Sequence, residues 1–422
     1  MTEPAATPAT PAARFPNGPF VRYMLGEGIS MTGTWMQAMA QGWVMAGLTA
    51  SSLAIAAVNF AGGLPMLILF RVGGMYADKY DKRFILQACQ VAQIAFAVVM
   101  GTLIAQHQLQ MWHIIVCATL LGVSNSFEMP AASAIVPELV GKEHVARAIA
   151  VDRAVFHGTR LVGPAVAGFL VGSLGEQWAF YLNAISFLAL MIALATLPPR
   201  PKGTAEQEEK RQGGMGEGFK HLRHDPTSFA MVTLLATNTL FVFPTMITLL
   251  PIYGRHYLKI DAASAAMGLD PKHMGLLMFS SGIGSVVGSV GIIFLPRAAR
   301  QTMISLTMVI ICGALLSLSK ADVFLWAACT LTCLSFGVST LVGLANTIVQ
   351  ERSPEEIRGR VSAIAGLSFF GFLPFAGLIM GWSADHFGVR PVLFGSACAY
   401  AIIGCAVIVW GRRGMSREAA TR

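Results

Sequence analysis

The feature that most restricts this chain is a succession of apolar stretches, each long enough to cross a bilayer, running almost from end to end. A hydrocarbon core about 30 Å thick asks for about 20 apolar residues in a helix. Stretches near 22–48, 52–76, 84–106, 111–136, 148–172 and 177–198 meet that length, as do those near 228–257, 272–295, 298–319, 322–349, 359–384 and 389–411. No water is available inside the bilayer to satisfy backbone groups, so such spans have to be helices. A mean hydropathy of +0.61, with 55% hydrophobic and 12% charged residues, agrees with the bilayer as solvent. The expected fold is an all-α membrane protein with twelve transmembrane helices in two six-helix bundles.

The run from Pro198 to Asp225 interrupts this pattern with Pro198, Pro199 and Pro201, the charged stretch Glu206–Arg211 and a glycine cluster, which reads as a polar linker. The expected division is a disordered cytoplasmic tail over 1–21, a bundle over 22–198, a cytoplasmic linker over 199–226, a second bundle over 227–411 and a cytoplasmic tail over 412–422. The Pro/Ala/Thr-rich start lacks both a basic n-region and an apolar h-region, which argues against a cleaved signal peptide. The halves echo one another: Pro137-Glu138 leads to Arg147 and then Gly163-Pro164, while Pro354-Glu355 leads to Arg358 and then Pro374. Such a repeat is expected of a transporter with its site near the midplane, between the halves.

The net charge of +8 forms no patch with interleaved aromatics of the kind that follows nucleic acid. It reads as topology instead. Arg71, Lys79, Lys82, Arg83, Lys142, Arg147, Lys202, Lys210, Arg211, Arg297, Arg300, Arg352, Arg358, Arg412 and Arg413 fall on one side, whereas the other holds Arg255, Lys259, Lys272, Lys320 and Arg390. By the positive-inside rule both termini are expected in the cytoplasm. The seven cysteines lie in apolar stretches without zinc-type spacing, and no metal or cofactor is expected.

Between the second and third stretches lie Gly74, Asp78, Lys79, Lys82 and Arg83. Glycine admits a close neighbouring helix, an acid can meet a helix N-terminus or a cation, and the bases hold the loop in the cytoplasm. This spacing resembles the loop signature of the major facilitator superfamily, with Asp81 standing where that family usually has glycine. Further stretches resemble its twelve-helix exporters of the enterobactin-exporter and macrolide-efflux type: Gly33–Gln37, Phe127–Ala131, Arg160–Gly168, Asn183–Phe187 and Arg358–Val361. Departures from that branch are Glu27 and Ala132-Ser133. The resemblance implies a conformational switch made by the loop residues, by Gly163, Pro164 and Gly168, and by Arg358 and Arg360. Within it, Asp78 would engage a neighbouring helix when the cytoplasmic side closes.

Ionisable groups at membrane depth are costly and therefore candidate functional residues. On the first helix Glu27, Ser30, Thr34, Gln37 and Gln41 recur every three or four residues, so one face is polar and has to meet a water-filled cavity or another helix. The fourth helix adds Asn125 and Glu128, and the fifth adds Arg153, His157 and Arg160. Glu128 would lie about 12 Å and Arg160 about 18 Å from the cytoplasmic ends of their helices, a range in which the two can pair. Such a pair either tunes a proton carrier or simply cross-links helices. Arg22 or Arg153 could equally satisfy Glu27. His157 is either a proton relay or a satisfied polar residue. The second half offers only amides such as Asn238 and Asn346, and prolines 244 and 251 suggest a bend in the seventh helix.

The expected function is secondary export of an amphiphilic molecule, drug-like or siderophore-like, across the bacterial inner membrane in exchange for protons, by a monomer and without a cofactor. The pathway and coupling residues would be Glu27, Gln37, Gln41, Asn125, Glu128, His157 and Arg160. An uptake symporter of the same fold is the alternative. An enzyme or non-transporting receptor fits less well, because no metal cluster, nucleophile elbow or phosphate loop is present in the sequence.

Overall fold

The computed structural model describes residues 15–140, 142–197, 215–261, 263–264, 268–354 and 357–420. The first half contains α1 (Gly18–Leu48), α2 (Ser52–Lys79), α3 (Lys82–Ala105), α4 (Met111–Glu138), α5 (Val145–Leu174) and α6 (Gln177–Ala195). The short α7 (Met215–His224) precedes α8 (Pro226–Phe241), α9 (Leu250–His256), α10 (Pro271–Gly291), α11 (Arg300–Lys320), α12 (Phe324–Arg352), α13 (Arg358–Phe370), α14 (Leu373–Phe387) and α15 (Val389–Ala420).

Among the described residues, eleven helical segments are long and apolar enough to cross a membrane, with α8–α9 and α13–α14 each joined into one span. With its 31 residues α1 is also long enough, but Gln37, Gln41 and the other members of its polar stripe lower its hydropathy. The expected bend of the seventh helix is a π-helical turn over Thr245–Leu249, entered at Pro244, with Pro251 in the first turn of α9. Pro164, by contrast, sits inside a helix that stays continuous from Val145 to Leu174.

Side-chain caps fix several starts. Asn17 accepts from Phe20 N at 2.9 Å and donates to Leu139 O at 2.7 Å, so α1 begins earlier than expected and Gly18–Val21 are helix rather than tail. Ser51 caps α2, Asp81 caps α3 and Asp270 caps α10. At φ −64° Asp81 has no need of the glycine it replaces. Its carboxyl also accepts from the Arg83 side chain and is thereby held below the usual carboxylate range, partly opposed by burial.

The linker expected over 199–226 is part helix. Residues 198–214, with Lys202, Lys210 and Arg211, lie outside the described residues, but α7 packs on α13 and α8, buries Leu222 and pairs Glu217 with Arg360. At the other end, the helix of α15 continues to Ala420 through the region expected to be a tail.

Asp225 caps α8 and takes a two-pronged bond from Arg352 of α12, at 2.8 and 2.7 Å, plus Ser228 Oγ at 2.5 Å. Burial pushes its carboxyl up, yet the bonds from Arg352 and Ser228 outweigh this and hold it below its ordinary value. The stabilisation it gives is therefore present above the unfolded-state value of about 3.9 and lost as pH falls through the lower folded value. Asp225→Asn is expected to cost about 1–2 kcal/mol at neutral pH. Thermal unfolding of the purified protein should show that difference, and show it vanishing in acid.

In the first half α1 packs on α5 and α6, α2 on α4, and α3 on α4 and α6; in the second α10 packs on α12, α11 on α12 and α15, and α8 on α12, α13 and α15. The two bundles meet along a seam formed by α5 with α10 and by α2 with α14.

Candidate functional site

Three carboxylates of the first bundle, with Asp152 partly exposed, come near Glu27 or Tyr23. Glu27 of α1 is close enough to Glu128 of α4 and Asp152 of α5 for both charges to act on it, and the same three act on the buried phenol of Tyr23. Glu128 accepts from Gln90 Nε2 at 2.8 Å and from Gln93 Nε2, and Gln93 also reaches Asn125 Oδ1 at 3.4 Å. Asp152 has Arg153 at 4.0 Å. Neither Glu27 nor Glu128 has an ion-pair partner among the described residues; Arg22 turns instead to Thr196 O.

The expected Glu128–Arg160 pair does not form. α4 packs mainly on α2 and α3 and only lightly on α5, so Glu128 turns to the amides of α3. Arg160 lies with its guanidinium 5.4 Å from the Trp35 ring centroid. That contact is worth about 0.5–2 kcal/mol, against about 2.5–3.5 kcal/mol to place a cation at the centre of a membrane helix.

With His157, Arg160 forms one wall of a cavity of about 180 Å³ between the halves. Nδ1 of His157 is buried without a hydrogen-bond partner, and the charges of Arg160 and Arg153 both act on the ring. Across the seam the wall is Phe243, Met246, Val338 and Val342, interspersed with Ser285, Ser289, Ser335 and Ser339. Hydroxyls thus replace the amides expected there. Asn238 is fully buried in the second bundle and does not line this cavity. Gln37 is also turned away, accepting from Asn183 Nδ2 at 2.8 Å in the α1–α6 packing, and Gln41 is half-buried beyond it.

The remaining expected residues fall into two regions. At the end of the bundle that carries α7, Lys82 pairs with Glu138 at 3.0 Å, Arg83 donates to Leu197 O, Arg360 pairs with Glu217, and Arg358, Asp78 and Lys79 are exposed. Within the first bundle a side chain on Gly163 would strike Trp35 and Thr32 of α1, whereas at the seam one on Gly168 would strike Pro271 O and Gly275 of α10. The contacts between halves run from Gly282 against Leu161, near the middle of α10 and α5, to the far end. There Arg255 donates to Trp43 O at 3.0 Å, His256 lies 2.9 Å from Ala46 O, and Asp385 of α14 accepts from Ser51 Oγ at 2.5 Å, Ser52 N at 2.6 Å and Leu53 N at 3.2 Å. No ion pair joins the halves at the α7 end among the described residues.

The sequence profile described as transmembrane secretion effector matches residues 9–420, nearly the whole chain. The chain belongs to this family of the major facilitator superfamily. Secretion effectors of this kind are multi-pass membrane transporters, not enzymes. Over 405 residues the chain is 22% identical to the multidrug efflux pump Tap of Mycolicibacterium fortuitum, covering 93% of this chain and 95% of that one. It is 21% identical to macrolide efflux protein A of Streptococcus pyogenes, covering 88% and 90%. It is 24% identical to the staphyloferrin A transporter of Staphylococcus aureus, covering 85% and 87%. A crystal structure of a bacterial homologue of the lysosomal transporter Spinster shares the fold, with a TM-score of 0.70 at 15% identity, covering 95% and 98%.

In this secretion effector the sequence left four participants unmarked. Asp152 stands beside Arg153 and so reads as a local surface pair, while Gln90 and Gln93 are single amides in an apolar stretch whose i, i+3 spacing was the available signal. Asp385 reads as an ordinary residue at a helix end, yet it caps a helix of the other half. Its bonds also place a negative charge at the N-terminus of α2. Asp385→Ala is expected to remove about 0.5–2 kcal/mol from the far-end closure, a population shift of roughly 2- to 30-fold. Spin labels at Ala50 and Phe387 would report it as a growing long-distance fraction.

Proposed function

We propose that this chain exports an amphiphilic small molecule from the bacterial cytoplasm across the inner membrane, in exchange for protons, by alternating access. The observation that carries the reading is the uneven seam: the bundles are joined from mid-membrane to the far end, a cavity lies between them, and the α7 end carries no ion pair across the halves among the described residues. That is the geometry of one of the two states that rocking bundles would exchange. Lys79, Lys82, Arg83, Arg147, Arg297, Arg300 and Arg358 all sit at the α7 end, which supports a cytoplasmic assignment for it and for both termini. Names of the relatives, two efflux proteins and a siderophore transporter, support a drug-like or siderophore-like cargo.

The carboxylate group of Glu27, Glu128 and Asp152 supports proton coupling. Like charges in a low dielectric oppose one another's ionisation, so a proton taken or lost at one changes the others. Both bundles lie in one chain, so a monomer is sufficient, and the proton gradient is the energy source with no cofactor. Asp78, exposed in this state, would engage a helix of the other half once the α7 end closes.

Purified protein in proteoliposomes, separated by orientation, tests the reading with an ethidium-type dye and a staphyloferrin-type carboxylate as cargoes. Export predicts movement away from the side bearing α7, faster with a proton gradient in the opposite direction. Accumulation together with protons would instead mean an uptake symporter.

A further inference from the structure

We propose that the cavity between the halves is built to hold the negatively charged end of its cargo, with Arg160 as the anion-binding residue. This rests on the export reading and narrows it to anionic amphiphiles, such as carboxylates, sulfonates or phenolates with an apolar body. Arg160 is a cation at membrane depth with no carboxylate in ion-pair reach among the described residues, and the acids of the first bundle, Glu27, Glu128 and Asp152, do not line its cavity. Trp35 contacts the guanidinium through its ring, and no hydrogen bond occupies the N–H donors among the described residues, which suits a carboxylate, the partner whose geometry fits two parallel bonds.

His157 adds to the same wall a buried Nδ1 with no hydrogen-bond partner. The opposite wall supplies the other half of the specificity. Phe243, Met246 and Val338 present apolar surface, and Ser285 is paired with Ser339 at 2.7 Å, so no group there brings negative charge. A cation-bearing drug would place its charge against Arg160 with nothing to offset it. At about 180 Å³ the cavity is below the 300–1,000 Å³ typical of whole-ligand pockets. It therefore takes the charged end, while the body of the cargo extends toward the open α7 end.

Trp35, beside Arg160, provides the assay, because a dansyl group in the cavity would accept its excitation energy. The full-length protein in detergent is titrated with dansyl-leucine, its neutral amide and cationic dansylcadaverine. The carboxylate is expected to bind about tenfold or more tighter than the amide, and dansylcadaverine weakest. Arg160→Gln should remove that preference and Arg160→Lys retain part of it. Equal binding of acid and amide by the unmodified protein, or tighter binding of the cation, overturns the proposal without any variant. A preference that survives in Arg160→Gln overturns the role of Arg160. If the acid preference holds and the vesicles show no export, the export reading fails while the anion site stands.

Discussion

Glu128→Gln is expected to leave the protein folded and able to exchange cargo down its gradient, while abolishing the acceleration that a proton gradient gives. Coupling free energies of about 1–3 kcal/mol correspond to accelerations of roughly 5- to 150-fold, and in the variant this factor should fall to about one. Folding is spared for a specific reason. Gln90 and Gln93 donate to the carboxylate, and Gln90 Oε1 is buried without a partner. Turning the Gln90 amide over presents that oxygen to the new amide N–H, so the substitution can be accommodated by one side-chain flip. Glu128→Ala would strand the Gln90 amide, leave Gln93 only its 3.4 Å bond to Asn125, and should lower stability as well. Proteoliposome counterflow with and without a pH gradient separates the two effects. An unchanged gradient response in Glu128→Gln would move the proton site to Glu27 and Asp152 or end the antiport reading.

The number, length and order of the spans were legible because the bilayer dictates them: helices have to satisfy their own backbones and reach across about 30 Å. Position along each helix was legible too, at 1.5 Å per residue. What the sequence lacks is azimuth. Glu128 and Arg160 are at compatible depths, but which neighbour each meets depends on α4 lying against α2 and α3 more than against α5. Gln37 belongs to the polar stripe by periodicity, yet the angle between α1 and α6 brings it to Asn183 rather than to the cavity. Asp385 shows the same limit between halves, for its partners are more than 300 positions away in the chain.

The loop signature itself is where sequence and packing part most sharply, and a substitution there has the largest structural effect expected. Gly74 begins the signature, but a side chain built on it meets nothing within 4 Å, whereas one on Gly73 would overlap the backbone carbonyl of Ser126 on α4. Further along the same α2–α4 interface a side chain on Gly122 would overlap the carbonyl of Gly62. Backbone atoms cannot rotate aside as a flexible side chain can, so added volume has to push the helices apart. Small residues are what allow such contact in the first place. Gly73→Val is therefore expected to cost at least the 1–3 kcal/mol of overpacking, and to reduce the yield of monodisperse protein on size exclusion several-fold. Gly74→Val should remain near the unmodified protein in both yield and thermal stability. If Gly74→Val proved the more damaging, the close approach would run through the signature glycine and the placement of α2 on α4 would be one residue out. With the expected order, the helix contact belongs to Gly73, and the signature is left with Asp78 and its basic neighbours at the mouth of the α7 end.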